Sequence, residues 1–414
     1  MTKPGSPVDP VSRPADPASQ RLLSGEAWRS LCQTLERAER FVLADDAPSS
    51  ARDRAEGFRY LTRFLAAGIV SCVSHADPDY PLFGRMIDYA MPWGLDNPDC
   101  LYLISAIGGD AQYRVFGNRG SANHLDIQVN FGHFANGDIS SWGTISSLDG
   151  FDLETAADGS FELQLGGERR PGPGNWLELA DNAEFILVRQ YFDDWENERP
   201  ADLWIERVGA EYPLPPLGSE SIAGRIDKLC RWLDKGATLW DQMSRGLLSM
   251  EPNSLLVHLP GPSSQRAGMA GQAYGMGNFR CAPNEAVVID FVPPPCHHWS
   301  VSLANFFWES IEYASRQTSV NGHQAQLDSD GHFRAVIAHE DPGVANWLDP
   351  AGHQAGTLAA RFLRAEAAPE PELRRIPLAR LDDELPSDTA RMTTDERRHA
   401  LERRYRAVVR RFRC

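Results

Sequence analysis

His124-Leu-Asp-Ile-Gln-Val opens a series of landmarks that the chain repeats later, beginning with His298-Trp-Ser-Val-Ser-Leu. The first series continues with Asp158-Gly-Ser-Phe, Asn175-Trp-Leu and Arg189-Gln-Tyr-Phe, and the second with Asp330-Gly-His-Phe, Asn346-Trp-Leu and Arg361-Phe-Leu. The Asp-Gly pair and the arginine are 31 residues apart in both series (158 to 189 and 330 to 361). Matching landmarks at matching intervals indicate an internal duplication, so we expect two copies of one β-rich module.

The sequence around these landmarks is typical of short β-strands. Runs such as Leu101-Tyr-Leu-Ile and Ala286-Val-Val-Ile-Asp-Phe are broken by Gly, Asn, Asp and Pro, without regular helical patterns between them. This texture favours antiparallel β-sandwich or jelly-roll modules over a parallel α/β sheet. Because side chains alternate along a strand, His124, Asp126 and Gln128 should share one face, which meets water or a groove.

Helical spacing of apolar residues recurs outside the two modules. Trp28, Leu31, Leu35, Ala38 and Val42 predict one helix, and a second helix of an N-terminal hairpin is predicted by Phe58, Leu61, Leu65 and Ile69. A bridging helix is expected from Ser219 onward, and an arginine-rich helix from Thr394 to Phe412.

These patterns predict a mainly β fold with helical additions. We divide the chain into a proline-rich disordered leader (1–20), a helical N-terminal segment (21–75), a first β-sandwich module (76–210), a linker and bridging helix (211–252), a second, jelly-roll-like β-sandwich module (253–366) and a basic C-terminal helical tail (367–414).

Charge and cysteine content restrict the partners and the location. With 41 basic and 57 acidic residues the net charge is −16, which disfavours nucleic acid and anionic membranes as partners and leaves small-molecule ligands. The seven cysteines are scattered and no apolar run is long enough to span a bilayer, so we expect reduced thiols and a cytoplasmic protein. We also expect self-association into a homo-oligomer.

Several stretches together carry a family resemblance: Asn97-Pro-Asp-Cys-Leu-Tyr-Leu, Gly174-Asn-Trp-Leu, Leu187-Val-Arg-Gln-Tyr-Phe-Asp-Asp-Trp and Ala338-His-Glu-Asp-Pro-Gly-Val-Ala-Asn-Trp-Leu-Asp. Over about residues 80 to 412 the chain resembles the bacterial family of the domain of unknown function numbered 1214. The resemblance implies a C-terminal jelly-roll-like domain, often preceded by a related β domain. It implies no activity and no catalytic residues.

The repeated polar residues are interpreted as structural, because a feature present in both copies is more simply a requirement of the shared fold. Asn175 and Asn346 should hold loops, and Arg189 and Arg361 should donate ion pairs to acidic neighbours. Residues without a counterpart in the other copy are the better candidates for chemistry. These are His297, Glu309, Glu312, Arg316 and His339. We predict catalytic roles for four residues of the second module: His339, Asp341, His298 and Glu309. We predict substrate-binding roles for five more: Arg316, Asn305, Trp308, Tyr313 and His297.

We expect neither a metal nor an organic cofactor. His297 and His298 are adjacent on a predicted strand and so point to opposite faces, and the glycines around Gly271 lack the spacing of a dinucleotide-binding loop. Two functions remain open. One is a cofactor-independent enzyme (a hydrolase, a hydratase or dehydratase, or an isomerase) that acts on an apolar or partly anionic small molecule by acid–base chemistry. The other is a non-catalytic β-sandwich protein that binds a carbohydrate or another ligand.

Overall fold

The computed structural model describes residues 16–169, 172, 174–259 and 271–412. Eight strands form the first module: β1 Cys100–Ala106, β2 Tyr113–Asn118, β3 His124–Phe131, β4 Gly143–Asp149, β5 Ser160–Leu165, β6 Asn175–Leu177, β7 Ala183–Tyr191 and β8 Asp202–Arg207. Nine strands form the second: β9 Ser254–His258, β10 Gln272–Arg280, β11 Glu285–Phe291, β12 His298–Ala304, β13 Ser319–Asn321, β14 Phe333–Ile337, β15 Trp347–Leu348, β16 Ala355–Leu363 and β17 Glu372–Pro377.

The two modules share one strand topology. The first consists of the sheets β1-β7-β3-β4 and β6-β5-β2-β8, and the second of β9-β10-β16-β12-β13 and β15-β14-β11-β17. Once β9 is set aside, strands at corresponding places in the sequence occupy corresponding places in the sheets. Even the single parallel pair recurs, as β5 with β6 and as β14 with β15. The predicted mainly β fold with two duplicated sandwich modules is thus confirmed.

The repeated Asn-Trp pair has the same structural role in both modules. The Asn175 side chain bonds the backbone N–H and C=O of Glu154 and the C=O of Glu162, and Asn346 makes the equivalent bonds to Gln326 and Arg334. Each amide therefore fastens a loop to the strand next to its own, as the sequence predicted.

Each module has its own apolar core between its two sheets. Leu125, Ile127 and Val129 of β3 belong to the first core, and Val301 and Leu303 of β12 to the second. The opposite faces of these strands are also buried: His124, Asp126 and Gln128 are each no more than 3% exposed. This face meets the other module, where the His124 ring lies edge-on to His297.

The helices are α1 Pro17–Leu23, α2 Glu26–Ala38, α3 Arg40–Leu43, α4 Ala51–Ile69, α5 Ser219–Arg231, α6 Ala237–Leu248, α7 Leu381–Glu384 and α8 Thr394–Phe412. Helices α2 to α6 share an apolar cluster with β-strands of both modules. α5 and α6 are joined by a π-helical turn, Trp232–Gly236, which makes the predicted bridging helix nearly continuous. α1 begins inside the predicted leader, where Asp16 caps it; residues 1–15 of that segment lie outside the described residues.

The buried face of α4 differs from the predicted one. Phe58 and Ile69 are exposed, whereas Tyr60 and Phe64 are buried. Two glycines explain the difference. A Cβ at Gly57 would lie 2.6 Å from the Phe307 ring, and a Cβ at Gly68 would lie 2.5 Å from the Trp232 ring. The closest contacts of the helix are made at these two glycines. A search for large apolar residues does not detect such contacts.

α8 contacts both modules and begins with a capping box. The Thr393 hydroxyl accepts from the Glu396 N–H, and the Glu396 carboxylate accepts from the Thr393 N–H at 2.8 Å. Its Arg397 is buried and donates to Asp341 at 2.9 Å. Within the described residues, no helix is both long enough and apolar enough to cross a bilayer.

Candidate functional site

A cavity of about 710 Å³ lies between the two modules, beside α6. Much of its wall is apolar and is formed by large, polarisable side chains, among them Trp93, Trp142, Trp240, Trp308, Met243 and Met276. Cavities of this size with an aromatic wall and a few converging polar groups are the usual form of a small-molecule site.

Two loops join to complete the wall. The backbone N–H of Leu95, in the loop before β1, donates to the Trp308 carbonyl at 2.8 Å. Asp96 then accepts from both the N–H and the hydroxyl of Ser310, at 2.9 and 2.7 Å. Trp308 has φ 63°, a left-handed conformation that large side chains rarely adopt. A loop of the second module is thus held against the entry loop of the first, and both face the cavity.

The repeated arginines both line this cavity. Arg189 on β7 lies opposite Tyr102 on β1, and Arg361 on β16 lies opposite Tyr274 on β10, at the same register in the two modules. All four side chains line the cavity. The face of each module that carries the repeated Tyr–Arg pair is therefore the face turned toward the other module.

Arg189 is neutralised within its own module. Its Nη1 donates to Asp126 Oδ2 at 3.2 Å and to Gln128 Oε1 at 2.6 Å. Burial opposes the charge of Arg189, but Asp126 and the neighbouring Tyr191 hold its pKa above the ordinary value. Burial also raises the pKa of Asp126 to about 6 despite the attraction of Arg189. The predicted ion pair to an acidic neighbour is confirmed for this arginine.

Arg361 has a different environment, and the same prediction is wrong for it. It is 3% exposed, and its Nη1 donates to the Ser302 hydroxyl at 3.2 Å while its Nη2 donates to the carbonyls of Leu95 and Asp96. In the described part of the chain it forms no ion pair with an acidic side chain. The reason is that Ser300 occupies the position that corresponds to Asp126.

Several hydrogen-bond donors around the cavity lack a partner among the described residues. They are buried side-chain nitrogens of cavity-lining residues: Asn97 Nδ2, Trp142 Nε1, Trp240 Nε1, Gln272 Nε2 and Trp308 Nε1. A buried donor left unsatisfied costs about 1–3 kcal/mol.

Among the predicted catalytic residues, His298 and Glu309 are buried in separate networks. Burial disfavours the charged form of His298, but hydrogen bonding to Asp193 and the charge of Asp99 raise its pKa. Burial raises the pKa of Glu309 to about 7, although Arg63 of α4 donates to it at 3.2 Å. Asn305 also donates to Glu309, at 2.9 Å.

His339 and Asp341 contact neither of those networks. His339 Nε2 donates to the Cys281 carbonyl at 2.9 Å. Asp341 is exposed; it accepts from Gly343 in a turn and from Arg397 of α8. The structure does not bring the four predicted catalytic side chains together.

Of the five predicted substrate-binding residues, Trp308 lines the large cavity. Asn305 and Arg316 line a smaller pocket of about 200 Å³ near α4, where Arg316 donates to Asp349 at 2.6 Å. Tyr313 is buried edge-on to Trp195, and its carbonyl accepts from Arg404. His297 lies edge-on to Phe151. Among the described residues, no three His, Cys, Asp or Glu side chains are grouped so that they could hold a metal ion.

The difference between the two arginines that line the cavity was visible in the opening landmark of the sequence. His124-Leu-Asp-Ile-Gln and His298-Trp-Ser-Val-Ser place Ser300 against Asp126 and Ser302 against Gln128. The repeated arginine was interpreted as structural because it is repeated. The informative signal was that the residues beside the arginine differ between the two copies.

Comparison with known proteins gives a family and a fold. Residues 286–367 match the family described as "Protein of unknown function (DUF1214)". The crystal structure of an uncharacterized protein from Burkholderia cenocepacia is similar with 33% identity and a TM-score of 0.82, covering 87% of this chain and 99% of that one. The VPA0106 protein from Vibrio parahaemolyticus matches with 12% identity and a TM-score of 0.45, covering 82% of this chain and 100% of that one. No curated protein matches this sequence.

Proposed function

We propose that this chain, which belongs to the DUF1214 family, binds a small organic molecule in the cavity between its two modules. The observation that carries the proposal is the combination of an aromatic, methionine-rich wall with the buried guanidinium of Arg361, which forms no ion pair with an acidic side chain among the described residues. The proposed ligand has an apolar body and at least one group rich in acceptor atoms.

The apolar body is matched by the tryptophan cluster. The ring centroid of Trp240 lies 5.6 Å from that of Trp93 and 5.6 Å from that of Trp308. These distances are typical of packed aromatic pairs. Met243 and Met276 add flexible thioethers that adapt to the outline of a ligand. Burial of a flat or elongated apolar molecule against such a wall contributes roughly 25 cal/mol per Å² of surface removed from water.

The experiment compares 2-naphthoate and 2-naphthamide as probes, measured by isothermal titration calorimetry and by the shift in thermal unfolding. A ligand that binds only the folded protein must raise its unfolding temperature. Met276→Trp should fill the cavity and weaken binding of either probe by roughly tenfold or more. Leu82→Trp, at an exposed position outside the cavity lining, is the matched control and should bind as the wild type does. The proposal fails if neither probe binds, or if Met276→Trp folds and binds unchanged.

A second candidate is the cofactor-independent enzyme, a hydrolase, hydratase or isomerase acting by acid–base chemistry in the same cavity. Asp96 supports it. This carboxyl lines the cavity, is 4% exposed, and burial raises its pKa to about 6, although Ser310 and Arg361 lower it. A carboxyl that titrates near neutral pH can both accept and return a proton.

The enzyme candidate is tested by incubating the protein with a bacterial metabolite extract and following its composition by mass spectrometry. If the reaction takes place in the cavity, the wild type should consume one compound of the extract. The Asp96→Asn and Met276→Trp variants should not consume that compound. Consumption that persists in the folded cavity-filled variant would contradict a catalytic role for this site.

We also propose that the protein works in the cytoplasm with a small molecule as its partner, and that it self-associates. The location is supported by six free cysteines among the described residues, since persistent free thiols are typical of reducing compartments. Chemical labelling in intact cells and sedimentation of the purified protein test these two points.

A further inference from the structure

We infer that the ligand is an organic anion whose carboxylate, or a similar oxyanion, binds Arg361. This inference rests on the proposed function, because it names the chemical class of molecule that the same cavity takes. It derives from a comparison of the two modules at equivalent positions.

The duplication supplies an internal control. Asp126 on β3 lies directly opposite Arg189, and Ser300 on β12 lies directly opposite Arg361. The next residues on the same face correspond as well, since Gln128 accepts from Arg189 and Ser302 accepts from Arg361. One copy retains a carboxylate beside its arginine, and the other carries a hydroxyl in its place.

The exchange leaves a charge without its counterpart. Arg361 carries a guanidinium cation and is buried. A buried charge without a partner of opposite sign is costly. Ser300 is neutral and cannot balance this charge, and its own hydroxyl has no partner among the described residues.

Asp96 is close enough for Arg361 to lower its pKa, but the two side chains form no ion pair in the described part of the chain, so Asp96 does not replace Asp126. Arg361 bonds the backbone carbonyl of Asp96, while both oxygens of the Asp96 carboxyl are engaged by Ser310. The planar guanidinium matches a carboxylate in geometry as well as in charge. Tyr274, directly opposite Arg361 on β10, lines the same cavity, as do Gln272 and Asn97.

The test restores the missing carboxylate. Ser300→Asp recreates the arrangement of the first module, and Ser300→Asn introduces a side chain of the same size without charge. In calorimetric titrations the wild type should bind 2-naphthoate roughly tenfold or more tightly than 2-naphthamide. Ser300→Asp should remove this preference by weakening naphthoate alone, whereas Ser300→Asn should keep it. Arg361→Gln is a second variant that should also bind the two probes equally.

The outcomes separate the inference from the proposed function. Equal binding of both probes by the wild type, or an unchanged preference in folded Ser300→Asp and Arg361→Gln, would overturn the inference and leave a neutral apolar ligand. Failure of both probes to bind the wild type would overturn the proposed function, and the inference with it.

Discussion

Asp126 and Ser300 occupy the same position in two copies of one module, each directly across a strand pair from an arginine that lines the shared cavity. Duplication of a fold normally preserves what the fold requires, and here the arginine is preserved while its counter-charge is not. Arg189 forms an ion pair within its own module, whereas Arg361 has no acidic partner among the described side chains.

Removal of the counter-charge in the first module should create a second open arginine. We expect Asp126→Asn to increase the affinity for 2-naphthoate several-fold and to leave that for 2-naphthamide unchanged, because Arg189 would then lack an anion too. The same variant should be destabilised by about 1–3 kcal/mol in urea unfolding, since a buried charged hydrogen bond is weakened. Unchanged naphthoate binding would show that Arg189 does not act on the cavity.

Glu309 should make stability fall as pH rises toward neutrality. Burial raises the pKa of Glu309 from 4.5 to about 7 in the folded protein, so between these values the folded state holds the proton more tightly than the unfolded chain. Folding then loses about 3 kcal/mol as pH rises through that window. Glu309→Gln should flatten this slope in denaturant titrations from pH 4.5 to 7. Glu312→Gln, which changes a partly exposed partner of the same Arg63, should keep it.

The raised pKa of His298 predicts that the folded protein loses stability at higher pH. Its pKa is raised in the folded state above the ordinary 6.5, because hydrogen bonding to Asp193 and the charge of Asp99 outweigh burial. Its contribution is complete below pH 6.5 and is lost as pH rises through the higher folded value. Asp193→Asn should remove most of this dependence. His323→Asn changes an exposed histidine 4.0 Å from Asp194 and should leave it intact. Identical pH profiles for wild type and Asp193→Asn would contradict this account.

The glycine contact of α4 predicts opposite effects of the same substitution at two sites. Gly68→Ala places a methyl group 2.5 Å from the buried Trp232 ring and should cost about 2 kcal/mol of unfolding free energy. Gly224→Ala on α5 meets nothing within 4 Å and should stabilise by about 0.5–1 kcal/mol through helix propensity. Equal effects of the two substitutions would show that α4 does not pack through Gly68.

Much of the fold was predictable because it depends on patterns that a sequence displays directly. Alternation along β3 and the repeated Asn-Trp pair gave the strands and the duplication, since strand period and loop-fastening side chains are local properties. The buried face of α4 was not predictable from large apolar residues, because glycines make its closest contacts.

The site was less predictable because it is assembled between modules. Trp308 was identified from its aromatic surroundings, but its neighbour Leu95 is far away in the sequence. His339 and Asp341 are close in sequence, yet their side chains contact different elements. Comparison of the two copies residue by residue, rather than by shared landmarks, would have found Ser300.

The most direct measurement is a crystal structure of the protein with 6-bromo-2-naphthoate, in which anomalous scattering locates the bromine. The account predicts the carboxylate within hydrogen-bonding distance of the Arg361 guanidinium and the bromonaphthyl group among Trp93, Trp240 and Trp308. A bromine peak outside the cavity, or a bound molecule whose carboxylate points away from Arg361, would contradict it.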